Sequence, residues 1–340
     1  MGTIGLSVII PVYNAEQWMR PTLEKLDAAL AASSFDAEII VIDDGSTDES
    51  AANARSVELK SGAVLEVISQ PNKGRYLARK AGVERATKDN ILFLDSRVFI
   101  GERSLKYLAD QLAGNPDQIW NGHVYINKHG SMFTRFWDAI VVIVWRRYFR
   151  HPQATQYGIK DFDYYPKGTG FFYVPKQRLV AAMEYFEATT NDIVHSSDDT
   201  LLIRFMNERQ DIHLSPDFNC LYHGRTNGKS FLKHAYHRGE FFVDGFLRPG
   251  TRFFVPLLLV LFGSLSIVVA LIVWPLVTLG IIAVGSLVFM LGLLVGALAF
   301  GVELADAVSL SVLSVPFAVV YLAGLWRAVG RKLKIGTAHA

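Results

Sequence analysis

The chain has 340 residues, 51% hydrophobic and 19% charged, with a formal net charge of +2. Its one cysteine, Cys220, excludes an intrachain disulfide, and so balanced a charge gives no footprint for nucleic acid. The average hides a split, because residues 253–302 and 307–326 carry no charged side chain at all.

The opening MGTIGLSVIIPVYN has no basic leader and its apolar run stops at Pro11, so it reads as a strand over 7–12 and not as an export signal. Leu6 also departs from the myristoylation pattern. Residues 15–32 have helical spacing, with Trp18, Leu23, Leu26 and Leu30 on one side. A second strand is expected at 38–42, then a helix starting inside DDGSTDES, where Ser46 and Glu49 are spaced for a capping box. A third strand (64–69), a helix (74–86) and a fourth strand (91–94) follow. This alternation predicts an α/β domain with a mostly parallel, doubly wound sheet over about residues 1–225. Ligands of such sheets bind beyond the carboxyl ends of the strands.

Residues 133–150 are apolar and aromatic, but only 139–145 lack charge, which is too short to span a bilayer; a core helix and a membrane-surface helix both fit. Residues 226–250 mix aromatic and basic side chains and read as an amphipathic segment on the headgroups. Three apolar segments follow, 253–274, 276–300 and 307–326, each near the ~20 residues that a crossing helix needs, and then a basic tail, 331–340. An integral protein of the cytoplasmic membrane is expected, its N-terminal domain facing the cytosol. Lys229, Lys233, Arg238, Arg248 and Arg252 before these segments favour the cytoplasmic side, and so do Arg327, Arg331, Lys332 and Lys334 after them. Three crossings cannot satisfy both groups. Two to four crossings therefore remain open, with one segment re-entrant or interfacial in some of them.

Four short motifs sit where the sheet rule points. PVYN (11–14) ends the first strand, and alone it is a turn. DDGSTD (43–48) ends the second, and alone it is an Asp-Gly turn before a capped helix. NKGRYLARKAG (72–82) places Lys73, Arg75, Arg79 and Lys80 at a helix start, where free backbone N–H groups suit a phosphate. ILFLDSRV (91–98) runs a buried strand into Asp95, with Arg97 two positions on.

In this order and spacing the four motifs resemble family 2 inverting glycosyltransferases of the GT-A fold, over roughly residues 5–240. The resemblance implies a Rossmann-like GT-A catalytic domain followed by a C-terminal transmembrane helical region. Pro11, Tyr13, Asn14, Asp44, Asn72, Gly74, Arg79, Asp95 and Arg97 would then hold a nucleotide-sugar, usually UDP-linked. Asp95 matches the first acid of the family's D-x-D motif, which helps to bind Mg²⁺ or Mn²⁺, but Arg97 replaces the second. Three readings follow: Arg97 neutralises the diphosphate itself, a metal is held by Asp95 and His223, or the site is degenerate.

HSSDDTLLIRF (195–205) resembles the family's catalytic segment, with Asp199 as general base, Asp198 beside it, and Ser196 as a possible helix cap. KGTGFFYVPK (167–176) resembles its acceptor loop, which assigns Gly168, Thr169 and Gly170 to the acceptor. A base at Asp199 leans toward a hydroxyl acceptor at the membrane, such as a lipid-linked glycan. Polyprenyl phosphate is the alternative acceptor, and a non-catalytic binding or scaffold protein the alternative class. A transporter is disfavoured because the apolar segments carry no charge to mark a path.

Overall fold

The computed structural model describes residues 3–338 except 130, 191–192, 194–197, 248 and 252. In chain order the elements are β1 (Ile4–Val12), α1 (Glu16–Ala31), β2 (Phe35–Asp43), α2 (Ser50–Arg55), β3 (Val64–Ser69), α3 (Arg75–Arg85), β4 (Asn90–Leu94) and β5 (Val98–Ile100). Next come α4 (Ser104–Leu112), β6 (Ile119–Ile126), α5 (Met132–Val144), α6 (Arg146–Phe149), β7 (Thr155–Tyr157), β8 (Phe171–Pro175), α7 (Lys176–Thr189), α8 (Asp198–Asn207) and β9 (Ile212–Tyr222). The chain closes with α9 (Gly228–Phe246), α10 (Phe254–Val273), α11 (Pro275–Ala299) and α12 (Leu304–Ala338). These elements form two compact units, one holding the sheet and one holding α5, α6 and α9–α12.

In the first unit one sheet runs β3-β2-β1-β4-β8-β6-β9-β5, with β7 added to β9. The half built from the first 95 residues is parallel, β1 pairing with both β2 and β4, and β2 with β3. Leu6, Val8, Ile9 and Ile10 of β1 are all buried. That is the continuous apolar run a strand needs when helices cover both faces. Beyond β4 the sheet is mixed: β8 is antiparallel to β4 and β6, while β6 and β9 are parallel.

The capping box expected at Ser46 and Glu49 does not form. Helix α2 begins at Ser50, and Ser46 faces β1 instead, its Oγ accepting from the Asn14 N–H at 3.0 Å. The local carboxylate is Asp48, whose Oδ1 accepts from the Ser50 N–H at 3.1 Å. The short polar side chains of DDGSTD thus tie two strand ends together before any of them serves a helix.

In the second unit α10, α11 and residues 304–332 of α12 are each long and apolar enough to cross a membrane. The run breaks at Trp274, where Pro275 opens α11, a position that suits a residue lacking an N–H. Helix α5 packs through Phe136 and Ala139 in one apolar cluster with Phe231 of α9 and Leu310 and Leu313 of α12. One face of this segment is thus packed inside the unit.

Candidate active site

The carboxyl ends of β1, β2 and β4 lie side by side, since Val12 is in register with Asp43, and Ile9 with Phe93. The residues just beyond them are the motif residues. Asn14 takes a left-handed φ of 48°, which asparagine tolerates, and its side-chain oxygen accepts from the Thr47 N–H at 2.8 Å. Pro11 is half-buried, and Tyr13 beside it is 53% exposed, a large ring left on the rim. Asp44 is buried, and its carboxylate accepts from Gln70 Nε2 (2.8 Å) and from the N–H groups of Lys73 (2.9 Å) and Gly74 (2.8 Å). It therefore fixes the turn that starts α3. Gly45 lets the opposite wall approach: its φ is +77°, and a Cβ there would stand 2.8 Å from the Asn72 nitrogen. Asn72 itself is exposed.

Arg79 is the centre of the site. It is 1% exposed, it stacks on Phe93 at 5.4 Å, and three carboxylates converge on it. Nη2 donates to Asp95 (2.9 Å), and Nη1 donates to Asp199 (2.8 Å) and to Asp198 (3.3 Å). Arg75, one turn earlier on the same helix face, reaches Asp198 at 2.9 Å and Asp199 at 3.4 Å and is half-exposed. Burial alone would push the Asp199 carboxyl up, but Arg75 and Arg79, together with the Thr169 hydroxyl that donates to it, hold it well below the usual carboxylate range. Desolvation opposes the charge on Arg79 as well, and Asp199 and Asp95 outweigh that opposition.

The predicted acceptor loop divides. Thr169 is buried against Asp199, and Gly170 is required by Asp95, since a Cβ at Gly170 would lie 2.9 Å from Asp95 Oδ2. Only Gly168 has open space around its Cα. Ser196 and His195 lie outside the described residues.

Arg97 occupies the turn between β4 and β5, its guanidinium 5.7 Å from the centre of the Trp18 ring. Its carbonyl accepts from the His223 N–H at 2.9 Å. The His223 ring lies against Trp18 (4.9 Å) and Phe99 (4.1 Å), with Nδ1 3.1 Å from Asn127 Nδ2, and burial pushes its pKa down. A divalent cation would need oxygen-rich ligands here. Asp95 is already paired with Arg79, the next candidate position is a guanidinium, and the described residues hold no group of three His, Cys, Asp or Glu side chains suited to a metal. These side chains do not fit Mg²⁺ or Mn²⁺.

Two participants escaped the sequence reading as site residues, Arg75 and Trp18. The i, i+4 spacing of Arg75 and Arg79 in GRYLAR was the available signal for the first. Trp18 looks like any apolar helix residue until the fold brings it under Arg97.

The motif loops at the carboxyl ends of the parallel strands, with arginines and carboxylates gathered below them, stand where α/β sheets bind their ligands. The chain belongs to glycosyl transferase family 2, which it matches over residues 7–180. Among curated proteins it is 31% identical over 143 residues to an undecaprenyl-phosphate 4-deoxy-4-formamido-L-arabinose transferase of Pseudomonas fluorescens, covering 42% of each chain. It is 34% identical over 111 residues to a dodecaprenyl-phosphate galacturonate synthase of Rhizobium johnstonii, covering 32% of this chain and 33% of the relative. The match thus spans about two-fifths or less of these relatives' length. Among solved structures, residues 1–349 of S. aureus TarS in complex with UDP-GlcNAc superpose with a TM-score of 0.48 at 18% identity, over 69% of this chain and 66% of that one.

Proposed function

We propose that the protein is a membrane-bound inverting glycosyltransferase that transfers a sugar from a UDP-linked donor to the phosphate of a polyprenyl phosphate. Its sheet unit works on the cytosolic face of the cytoplasmic membrane. The observation that carries the choice of acceptor is the state of Asp199. A carboxylate held as an anion by two guanidinium groups and a hydroxyl is a poor proton acceptor, because base catalysis favours a pKa near the working pH. A sugar hydroxyl needs such a base, whereas a phosphate oxygen is already an anion. The relatives named for undecaprenyl and dodecaprenyl phosphate support the same acceptor.

In this reading Tyr13 and Asp44 frame the base and ribose of the donor. The exposed guanidinium of Arg75, with Arg97, takes the charge of the phosphates, and Arg79 keeps the three carboxylates in place. An oxygen of the acceptor phosphate attacks the anomeric carbon on the face opposite the diphosphate. The new C–O bond forms as the bond to UDP breaks, and UDP leaves with the electron pair. No proton has to move. Asp199 acts as a positioning residue for Arg75 and Arg79.

The test is transfer by the purified full chain from a panel of labelled UDP-sugars to polyprenyl phosphate, polyprenol and a lipid-linked glycan. Transfer to the phosphate alone is expected, with Asp199→Asn lowering the rate about 10-fold by loosening the guanidinium groups. A hydroxyl acceptor is the second reading. It is favoured by the exposure of Asp199 (27%) and Arg75 (49%), which lets a donor phosphate draw the two apart and free the base. Transfer to the glycan hydroxyl, with Asp199→Asn abolishing it, would establish that reading and end the first.

A further inference from the structure

We propose that α12 does not cross the bilayer: it lies along the membrane surface with α5 and α9, so that α10 and α11 are the two crossings and both ends of the helical unit are on the same side. The proposal rests on what accompanies α12, and it stands apart from the identity of the substrates.

Helix α9 runs alongside the C-terminal half of α12 in the same direction. Phe231 meets Phe317 with ring centres 6.1 Å apart, and Val243, twelve residues further along α9, packs with Leu325 and Ala328. Between these points the two backbones touch. A Cβ on Gly239 would stand 2.2 Å from the Tyr321 carbonyl oxygen, and one on Gly324 would stand 2.1 Å from that of Tyr236. Reciprocal glycines of this kind fix a close helix pair. Polar contacts join it, Arg327 Nε to Glu240 at 3.1 Å and Arg327 Nη1 to the Tyr236 hydroxyl at 3.1 Å.

Helix α9 cannot follow α12 into hydrocarbon. It carries exposed Lys229, Lys233 and Arg238 along its length, and charged side chains at the bilayer centre are strongly disfavoured. The opposite end of α12 is held by charge as well. Buried Asp306 pairs with Lys128 (2.7 Å) and Arg135 (3.1 Å), and Lys128 also pairs with Asp138 of α5 at 3.0 Å. Lys128 follows the last residue of β6 by two positions, and α9 begins six positions after the end of β9. Both ends of α12 are therefore tied to polar segments that leave the sheet by short links.

The remaining helices behave differently. They meet α12 at separate places along it: Leu257 and Leu261 of α10 cluster with Leu325 and Ala328, Trp326 Nε1 donates to Ser264 Oγ midway along α10 (3.0 Å), and Ser311 Oγ donates to the Met290 carbonyl in the second half of α11 (2.7 Å). Between those contacts they turn at Trp274, which is 65% exposed. At 1.5 Å per residue α10 and α11 rise about 30 and 38 Å, enough for the ~30 Å hydrocarbon core. The large exposed apolar residues of α12 (Leu304, Val308, Val312, Val319 and Trp326) recur at intervals of four and seven, a single stripe suited to the acyl boundary. With this arrangement the basic residues before α10 and those after Trp326 fall on one side, which two crossings allow and three forbid.

The test uses the full chain with Cys220→Ala and one new cysteine at a time: Lys229→Cys, Trp274→Cys, Phe300→Cys or Thr337→Cys. A membrane-impermeant maleimide is applied to intact spheroplasts and to permeabilised ones, and labelling in denaturant confirms that each thiol reacts. Trp274→Cys should label in intact spheroplasts and the other three only after permeabilisation. Thr337→Cys and Phe300→Cys on opposite sides would show that α12 crosses and would overturn the proposal. All four on one side would overturn it too, because the α10–α11 hairpin would not cross.

Discussion

At the scale of single residues, the proposed reading gives two arginines the work that a cation would do. Arg97 stands where the second acid of a metal-binding pair is expected, and the acid two positions before it is committed to Arg79. UDP should therefore bind without a divalent ion, and Arg97→Asp should weaken that metal-free binding by about 10- to 100-fold, the weight of a charge-assisted hydrogen bond. The same variant should regain affinity when Mn²⁺ is added. Titration calorimetry reads both effects, and a wild type that needs Mn²⁺ for binding would reject the role given to Arg97. Arg79 is the more costly position, because it is buried among three carboxylates. Lysine keeps the charge but not the planar fork that serves them in two directions. Arg79→Lys should lose about 3 kcal/mol of stability, the scale of a broken buried pair, along with nearly all transfer. Thermal melting checks the first effect, and an unchanged melting temperature would mean that the cluster is not structural.

At the scale of elements, the parallel half of the sheet was legible because each of its strands is a short apolar run closed by a turn motif. The mixed half was not. Strand β8 enters between β4 and β6 from about 80 residues downstream of β4, and no local periodicity records such a pairing. The α9–α12 contact was equally silent, since Gly239 and Gly324 lie in two helices far apart in the chain and acquire meaning only when the backbones meet. That contact makes a sharp prediction. Gly324→Leu has no flexible neighbour to displace, only the Tyr236 carbonyl, so it should part the helices and cost at least the 1–3 kcal/mol of an overpacked core. Gly330→Leu on the same helix, where a Cβ meets nothing within 4 Å, serves as the control. Melting and limited proteolysis in detergent should separate the two, and equal behaviour would show that the contact is not tight.

At the scale of the whole molecule, the types of residue at the site were legible from four motifs, but not which charge neutralises which. Arg79 and Asp199 are 120 positions apart, and no local pattern records that they pair. Charges outside the site shape the response to pH, and two windows can be separated. His123 of β6 is 1% exposed, and burial pushes its pKa down to about 4, with His213 and His223 shifted in the same direction. Between pH 6.5 and 4 the unfolded chain therefore binds protons that the folded chain refuses, so the stability from a neutral His123 is complete above pH 6.5 and drains away toward pH 4. For His123 alone the loss is roughly 3 kcal/mol. Below pH 4 a second loss begins. Burial opposes the charge on Asp27 and Glu38, but their hydrogen bonds to Ser61 and Ser7 outweigh it and leave both carboxyls lowered. Their contribution is present above the unfolded value and disappears as pH falls through the folded one. Melting temperature against pH should thus fall in two stages, and His123→Asn should flatten the stage between pH 6.5 and 4 while leaving the one below it. A variant whose curve still parallels the wild type from pH 6.5 to 4 would show that another group sets the first stage.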